Sequence, residues 1–277
     1  MYAQIIVPLD GSDFAARALE PAVHLAKASD APLTVVSYAA GRIELPTLQA
    51  IVEKQVEAVM DRGIDPQAVT VRVTTAGRPG PEIVEEVAKA PGSLICMSSL
   101  GRPRTGAVFG SVAETVLREV TIPLVLVGPN AEARRFDFDR PLVVCVDGSR
   151  TSEAILPIVA SWGIVYGVDV RVVSVQPPVG EAPLPEGEVA IDTAYVRRIA
   201  SKLADEIGRT VDFDVLHGDD VVDAVVDHCN TAGASMIAAS THGRTGLRRV
   251  VVGSVMAGLV HRARQPVLAY RPLQLLR

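Results

Sequence analysis

The stretch that decides the fold is residues 6–12, IVPLDGS, because it returns at residues 143–149 as VVCVDGS. The aspartates in these stretches are Asp10 and Asp147, which are 137 positions apart. Two further tripeptides return in the same order, with RTG from 104–106 found at 244–246 and GSV from 110–112 found at 253–255. Ordered landmarks at a nearly constant spacing indicate a duplicated structural unit.

The repeat predicts two copies of one domain on this chain of 277 residues. We place the first copy at residues 1–130 and the second at residues 140–277. Between them, residues 129–141 form a polar stretch flanked by prolines, which is typical of a linker. Two domains of this size agree with the usual length of a globular domain.

Each copy alternates short apolar runs with longer amphipathic segments. The runs are bounded by Gly, Pro or Ser, as buried parallel strands usually are, and in the first copy they lie at 5–9, 34–38, 70–75, 94–97 and 124–127. Helical spacing follows at 48–62, ending at Gly63, and in the second copy at 189–207, ending at Gly208. Alternating strands and helices predict an α/β fold with two repeated, doubly wound, five-stranded parallel sheets that are Rossmann-like.

The two ends of each predicted sheet differ in character. The third strand, 70–75 and again 211–216, mixes polar and apolar residues, which suits an edge with one wet face. The last strand, 124–127 and again 267–270, is apolar throughout, and an open apolar edge invites pairing. We predict that the two last strands pair antiparallel across a pseudo-twofold axis, either within the chain or with another chain.

A proline falls inside the first predicted helix of each copy, at Pro21 and at Pro157. An interior proline removes a backbone hydrogen bond and clashes with the preceding turn, at a cost of about 3 kcal/mol. The sequence therefore predicts a kink or a late start in both helices.

Composition argues against several classes of partner and site. The net charge is −5 with both signs interspersed, which argues against nucleic-acid partners. No apolar run is long enough to span a bilayer, and residues 4–7 begin a strand without a basic leader, so we expect a cytoplasmic protein with no membrane partner. The three cysteines, Cys96, Cys145 and Cys229, are too widely spaced for a disulfide framework or a zinc site, and they are interpreted as small core residues.

The first candidate loop follows the first strand of each copy. In Asp10-Gly11-Ser12, the glycine permits a tight turn, Ser12 can cap the next helix, and Asp10 would point into the crevice at the carboxyl ends of the strands. The alternative is that this loop provides a turn and a helix cap and nothing more. The same two interpretations apply to Asp147.

The second candidate loop follows the fourth strand. In the second copy it contains His242 and Gly243, then nine residues, then Gly253 and Ser254 at the start of a helix. Glycines and a helix N-terminus can hold phosphate groups, and Arg244 could add positive charge. The alternatives are a solvated arginine and a structural histidine. The first copy has only eight residues between Gly101 and Gly110, which predicts a poorer phosphate cradle.

Together these residues resemble the universal stress protein family in its tandem, two-domain form. ATP-binding members of that family carry an aspartate after the first strand and a loop G-x2-G-x9-G-[ST] after the fourth. In both copies a serine, Ser98 or Ser240, stands in place of the first glycine of that loop, and the nine-residue spacing is present only in the second copy. The resemblance therefore implies nucleotide binding with more support in the second copy.

The resemblance implies an adenine nucleotide alpha hydrolase-like fold and ATP as the ligand, with Mg2+ as an accompanying ion. The implied binding residues of the second copy are Asp147, Val175, Gly218, His242, Gly243, Arg244, Gly253, Ser254 and Val255. Those of the first copy are Asp10, Tyr38, Gly77, Gly101, Gly110, Ser111 and Val112. Tyr38 and Val175 would line the adenine pocket.

Three functions remain open at this point. The first is a nucleotide-binding regulatory protein of a stress response, whose bound state is recognised by a protein partner. The second is an enzyme of slow ATP hydrolysis or phosphoryl transfer, for which the loops offer only Asp10 and Asp147 as acids and no lysine. The third is a nucleotide-free dimerisation and interaction module, as a homo-oligomer or an intramolecular pseudo-dimer. We assign no catalytic residue and no metal ligand.

Overall fold

The architecture comes from a computed structural model, which describes residues 2–60, 66–100, 109–132, 136–176, 186–242 and 252–272. Two consecutive runs of alternating strands and helices make up the chain. The elements of the first copy are β1 (Ile5–Leu9), α1 (Asp13–Ala16), α2 (Leu19–Ser29), β2 (Leu33–Ala39), α3 (Leu45–Met60), β3 (Val69–Thr75), α4 (Pro79–Lys89), β4 (Leu94–Ser98), α5 (Ser111–Glu119) and β5 (Leu124–Val127). A single 3-10 turn, Pro66–Ala68, precedes β3.

The second copy repeats this order. Its elements are β6 (Leu142–Cys145), α6 (Arg150–Glu153), α7 (Leu156–Tyr166), β7 (Val170–Gln176), α8 (Glu186–Ile207), β8 (Asp212–His217), α9 (Val221–Thr231), β9 (Met236–Ser240), α10 (Ser254–Arg262) and β10 (Val267–Tyr270). Helix α8 is followed by Gly208 with φ +75°, as its predicted end requires. The predicted end of α3 at Gly63 lies outside the described residues.

The ten strands form one sheet in the order β3-β2-β1-β4-β5-β10-β9-β6-β7-β8. Strands within each copy are parallel, whereas β5 and β10 are antiparallel, with Val125 opposite Leu268. Both residues are fully buried. The predicted pairing of the last strands is therefore confirmed, and it occurs within the chain. Strands β3 and β8 form the two outer edges of the sheet and are partly exposed, as predicted.

The prolines interrupt the first helix of each copy. Helix α1 ends at Ala16 and α2 begins at Leu19, so that Pro21 lies in the first turn of the new helix. In the second copy, Pro157 occupies the second position of α7. A proline ring collides with the carbonyl four residues earlier, so each helix breaks near that point and starts again. The predicted late start is confirmed in both copies.

The two copies share one hydrophobic cluster, and the linker takes part in it. Phe136 and Phe138 of the linker stack edge-on with centroids 5.1 Å apart, and Phe138 also contacts Trp162 and Tyr166 of α7. Phe136 is 2% exposed, so this part of the linker is core and not a polar tether. Burial of apolar surface from both copies ties their stability together.

No helix within the described ranges is long and apolar enough to cross a membrane.

Candidate functional site

A cavity of about 220 Å³ lies in the first copy, at the carboxyl ends of β1, β2 and β4. In the sheet, β1 lies between β2 and β4, so the strand order reverses here, which is where doubly wound sheets bind ligands. The cavity is lined by Pro8, Leu9, Asp10, Ala15, Tyr38, Pro79, Ile83, Met97, Ser98, Ser99, Leu100, Gly110, Ser111, Val112 and Ala113.

The loop after β1 holds Asp10 in a defined position at this cavity. Gly11 has φ +78°, a conformation that glycine adopts without strain. The carboxylate of Asp10 accepts hydrogen bonds from Ser12 N at 3.0 Å and from Ser12 Oγ at 2.5 Å. Ser12 Oγ in turn accepts from the backbone N–H of Ala15 and caps α1. The loop therefore provides both the helix cap and an acid at the cavity wall.

The second copy builds the same loop. Gly148 has φ +84°, and the carboxylate of Asp147 accepts from Ser149 N at 2.9 Å and from Ser149 Oγ at 2.6 Å. Ser149 Oγ caps α6 by accepting from Ser152 N. Because glycine and serine recur at the same places, the direction of the aspartate side chain is reproduced as well.

The start of α5 forms the opposite wall of the first-copy cavity. Gly110 precedes the helix, and its N–H donates to the carbonyl of Ser99 at 2.8 Å. The next three amides, from Ser111, Val112 and Ala113, have no acceptor inside the helix, and all three residues line the cavity. These amides and the helix dipole favour an anion at this point.

The start of α10 has the same geometry. Gly253 precedes the helix, and its N–H donates to the carbonyl of Thr241 at 2.8 Å. A Cβ on Gly253 would lie 3.0 Å from that carbonyl oxygen, so a larger residue would push the loop away from the helix. Ser254 and Val255 form the first turn of α10 and are exposed. An anion site at this end of the second copy is consistent with the described residues.

Tyr38 closes the cavity from the end of β2. Burial raises the pKa of its hydroxyl, and the carboxylates of Glu86 and Glu82 add to the shift. The phenol is therefore neutral at physiological pH and available as a hydrogen-bond donor. Val175 follows Tyr38 by 137 positions and lies, partly buried, near the end of β7.

Five of the seven residues predicted for the first copy come together at this cavity: Asp10, Tyr38, Gly110, Ser111 and Val112. Gly77 is not part of its lining, and a Cβ at that position would meet no atom within 4 Å. Gly101 lies outside the described residues. Pro79 and Ile83 of α4 and Met97 of β4 also line the cavity, although they were not predicted to do so. The one available sequence signal is the apolar spacing of α4, which indicates the buried face of that helix.

In the second copy, Gly243 and Arg244 lie outside the described residues, so their predicted roles remain predictions. His242 is buried, with Nδ1 3.1 Å from the hydroxyl of Thr241. Gly218 directly follows β8, and its N–H donates to the carbonyl of Gln176 at 3.1 Å.

The cysteines are free, and Cys96 and Cys145 lie on strands as predicted. Burial raises the pKa of the Cys145 thiol to about 12, so it is protonated at neutral pH. Within the described part of the chain, no group of three or more His, Cys, Asp or Glu side chains is placed to hold a metal ion.

The fold and this cavity define a class: a tandem α/β protein with a candidate ligand site at the switch point of a doubly wound sheet. The chain belongs to the universal stress protein family, whose sequence model matches it twice, at residues 1–128 and 140–271.

Solved structures share this architecture over nearly the whole chain. A universal stress protein from Archaeoglobus fulgidus DSM 4304 is 18% identical with a TM-score of 0.66, covering 98% of this chain and 99% of its own. A functionally unknown protein from Pseudomonas aeruginosa PAO1 is 14% identical with a TM-score of 0.68, covering 99% and 94%. A shorter universal stress protein from Archaeoglobus fulgidus, in complex with dAMP, is 24% identical with a TM-score of 0.39, covering 48% and 99%. No curated protein matches the chain.

Proposed function

We propose that this chain is an ATP-binding universal stress protein that acts as a regulatory or signalling protein in a stress response. The observation that carries the proposal is the first-copy cavity, which brings together an acid, a neutral phenol and a helix N-terminus at a topological switch point. Binding would stabilise one conformation of the chain, and a protein partner would recognise that conformation.

The cavity lining suits the separate parts of a nucleotide. Ile83, Met97 and Leu100 provide apolar walls for a base. The carboxylate of Asp10 would repel phosphate and therefore fits ribose hydroxyls or an amino group. The amides at the start of α5 would face the phosphates.

The cavity volume of about 220 Å³ is smaller than that of typical ligand sites, roughly 300–1,000 Å³. We infer that base and ribose occupy the cavity while the phosphates lie at its mouth. Mg2+ accompanying ATP would be held mainly by those phosphates.

The same function is proposed for the second copy, because Asp147 and the start of α10 repeat the first-copy geometry. The expectation that the second copy is the stronger site rests on its nine-residue spacer and on Gly243 and Arg244. It remains a prediction, to be tested by comparing the two copies directly.

The pairing of β5 with β10 supports one alternative. An intramolecular pseudo-dimer is already complete through the last strands, so a nucleotide-free interaction module would need no second chain for that contact. This alternative predicts a folded, stable protein that does not respond to nucleotide.

ATP is expected to raise the melting temperature of the full chain. A ligand at 100 times its Kd stabilises the folded state by about 2.7 kcal/mol. For a chain of this size each kcal/mol corresponds to roughly 2–4 °C, so we expect a shift of about 5–10 °C for each site occupied at 100 times its Kd. The measurement is a thermal denaturation series with ATP, ADP and AMP.

Asp10→Ala and Asp147→Ala are each expected to remove one of two equivalents of bound ATP in a calorimetric titration, and the double variant to remove both. Asp139→Ala, which removes an exposed linker acid, is the control and should bind as the wild type does. No shift with any of the three nucleotides at millimolar concentration would refute the proposal. Phosphate release that is lost in Asp147→Ala would instead support slow ATP hydrolysis.

A further inference from the structure

Helix α8 contacts the Asp147 loop through the side chain of Tyr195. The hydroxyl of Tyr195 donates to Glu153 Oε1 at 3.0 Å, at the end of α6. The backbone N–H of Gly148 also interacts with the phenol oxygen. Tyr195 is therefore linked to the glycine that follows Asp147 in the turn and to the end of α6.

The phenol is held in one protonation state and one orientation. Burial raises the pKa of Tyr195, and the carboxylates of Glu153 and Asp147 raise it further. Its hydroxyl therefore remains a donor at all physiological pH values. The guanidinium of Arg198 lies 5.5 Å from the centre of the tyrosine ring, a contact that favours this ring position.

Helix α3 contacts the Asp10 loop in a chemically different way. Nε2 of Gln55 donates to the carbonyl of Gly11 at 3.1 Å and to that of Ser12 at 3.3 Å. Leu48 and Ile51 of the same helix lie against Gly11, since a Cβ there would be 3.0 Å and 3.4 Å from their methyl carbons. The side chain of Gln55 therefore bonds to two successive carbonyls of the loop that follows Asp10.

Gln55 and Tyr195 lie on corresponding helices of the two copies. Helix α3 lies between β2 and β3, and α8 lies between β7 and β8. Gln55 contacts the Asp10 loop, and Tyr195 contacts the Asp147 loop and the end of α6. The helix between the second and third strands therefore holds the aspartate loop in both copies, through an amide in one and a phenol in the other.

We infer that Gln55 and Tyr195 are positioning residues for nucleotide binding, each fixing the loop that aims the aspartate of its own copy, Asp10 or Asp147, into the candidate site. The inference rests on the proposed function. The amide of the first copy is neutral and donates to two backbone carbonyls, whereas the phenol of the second donates to the acid Glu153. The two sites are thus held by different chemistry.

The test uses the full chain and two measurements. Tyr195→Phe removes only the hydroxyl. It is examined in an Asp10→Ala background, in which ATP binding is measured at the second site alone. We expect ATP affinity to fall about three- to tenfold, as loss of a hydrogen bond predicts. Hydrogen exchange of the amides at 147–149 should become faster with or without nucleotide. Gln55→Leu in an Asp147→Ala background should do the same to the first site and to the amides at 10–12.

Tyr166→Phe is the matched control, because it also removes a hydrogen-bonded hydroxyl, one that is bonded to Ser29 and lies at the far end of α7. It should alter neither ATP affinity nor exchange in the two loops. Unchanged exchange at 147–149 in Tyr195→Phe would overturn the inference whether or not ATP binds. An affinity loss equal to that of Tyr166→Phe would also overturn it. If Tyr195→Phe speeds exchange at 147–149 but the wild-type chain binds no nucleotide, the positioning role stands. Only the proposed function is then refuted.

Discussion

Gly128→Ala is expected to lower the free energy of unfolding by about 4 kcal/mol or more. Gly128 directly follows β5, and a Cβ at this position would overlap the carbonyl oxygen of Val260 near the end of α10. The position of the Cβ is fixed by the backbone and the oxygen belongs to the backbone, so rotating a side chain cannot relieve the overlap. The variant must separate the linker from the second copy.

The neighbouring contacts make that separation costly. Asn130 Nδ2 donates to the carbonyl of His261 at 2.9 Å, and the N–H of Glu132 donates to the carbonyl of Arg264 at 2.6 Å. Moving the chain at Gly128 would strain both bonds, which hold the linker on the end of α10. Unfolding by urea, followed by circular dichroism, measures the loss.

Gly41→Ala is the control, since a Cβ at Gly41 meets no atom within 4 Å and its φ is not positive. Such a replacement is expected to change stability by less than about 1 kcal/mol. A Gly128→Ala protein as stable as Gly41→Ala would contradict the predicted overlap.

The equivalent position in the second copy does not require glycine. Arg271 stands 143 positions after Gly128, at the same place after β10, and it is 7% exposed. Its Nη1 donates to the carbonyl of Leu117, the residue of α5 that corresponds to Val260. The two sides of the central strand pair are therefore equivalent in topology and different in packing.

Trp162→Ala is expected to cost about 3–5 kcal/mol, the usual range for a buried aromatic side chain. Trp162 is 2% exposed, contacts Phe138 of the linker and Tyr166 of α7, and donates its ring N–H to the hydroxyl of Tyr2 at 2.7 Å. The substitution therefore removes contacts to the first copy, the linker and the second copy at once.

Because all three parts belong to one hydrophobic cluster, we expect the variant to unfold in one transition at a lower urea midpoint. Circular dichroism is the suitable measurement, since Trp162 is the only tryptophan. Trp162→Phe keeps an aromatic ring and loses the N–H bond, so it should cost clearly less than the alanine variant. Equal losses for both variants, or two separate transitions, would count against a shared core.

The sequence determined the duplication, the order of strands and helices, and the pairing of the last strands. These features rest on local signals, because apolar runs, glycine ends and prolines act over a few residues along the chain. The breaks before Pro21 and Pro157 are an example, since the clash that causes them spans only four residues. Asp10, Gly110 and Ser111 were also predictable as neighbours, because loops that follow parallel strands lie at one edge of the sheet.

Only the tertiary structure decided which other side chains meet there. Ile83 and Met97 close the cavity from separate elements, and neither position carries a periodic or motif signal for a ligand site. Gln55 and Tyr195 hold equivalent loops, yet an amide and a phenol share no sequence pattern that would connect them. The burial of Phe136 and the need for glycine at position 128 could not be predicted from the sequence, for the same physical reason. Each depends on atoms that are far away in the chain and close in space, and local periodicity carries no information about such contacts.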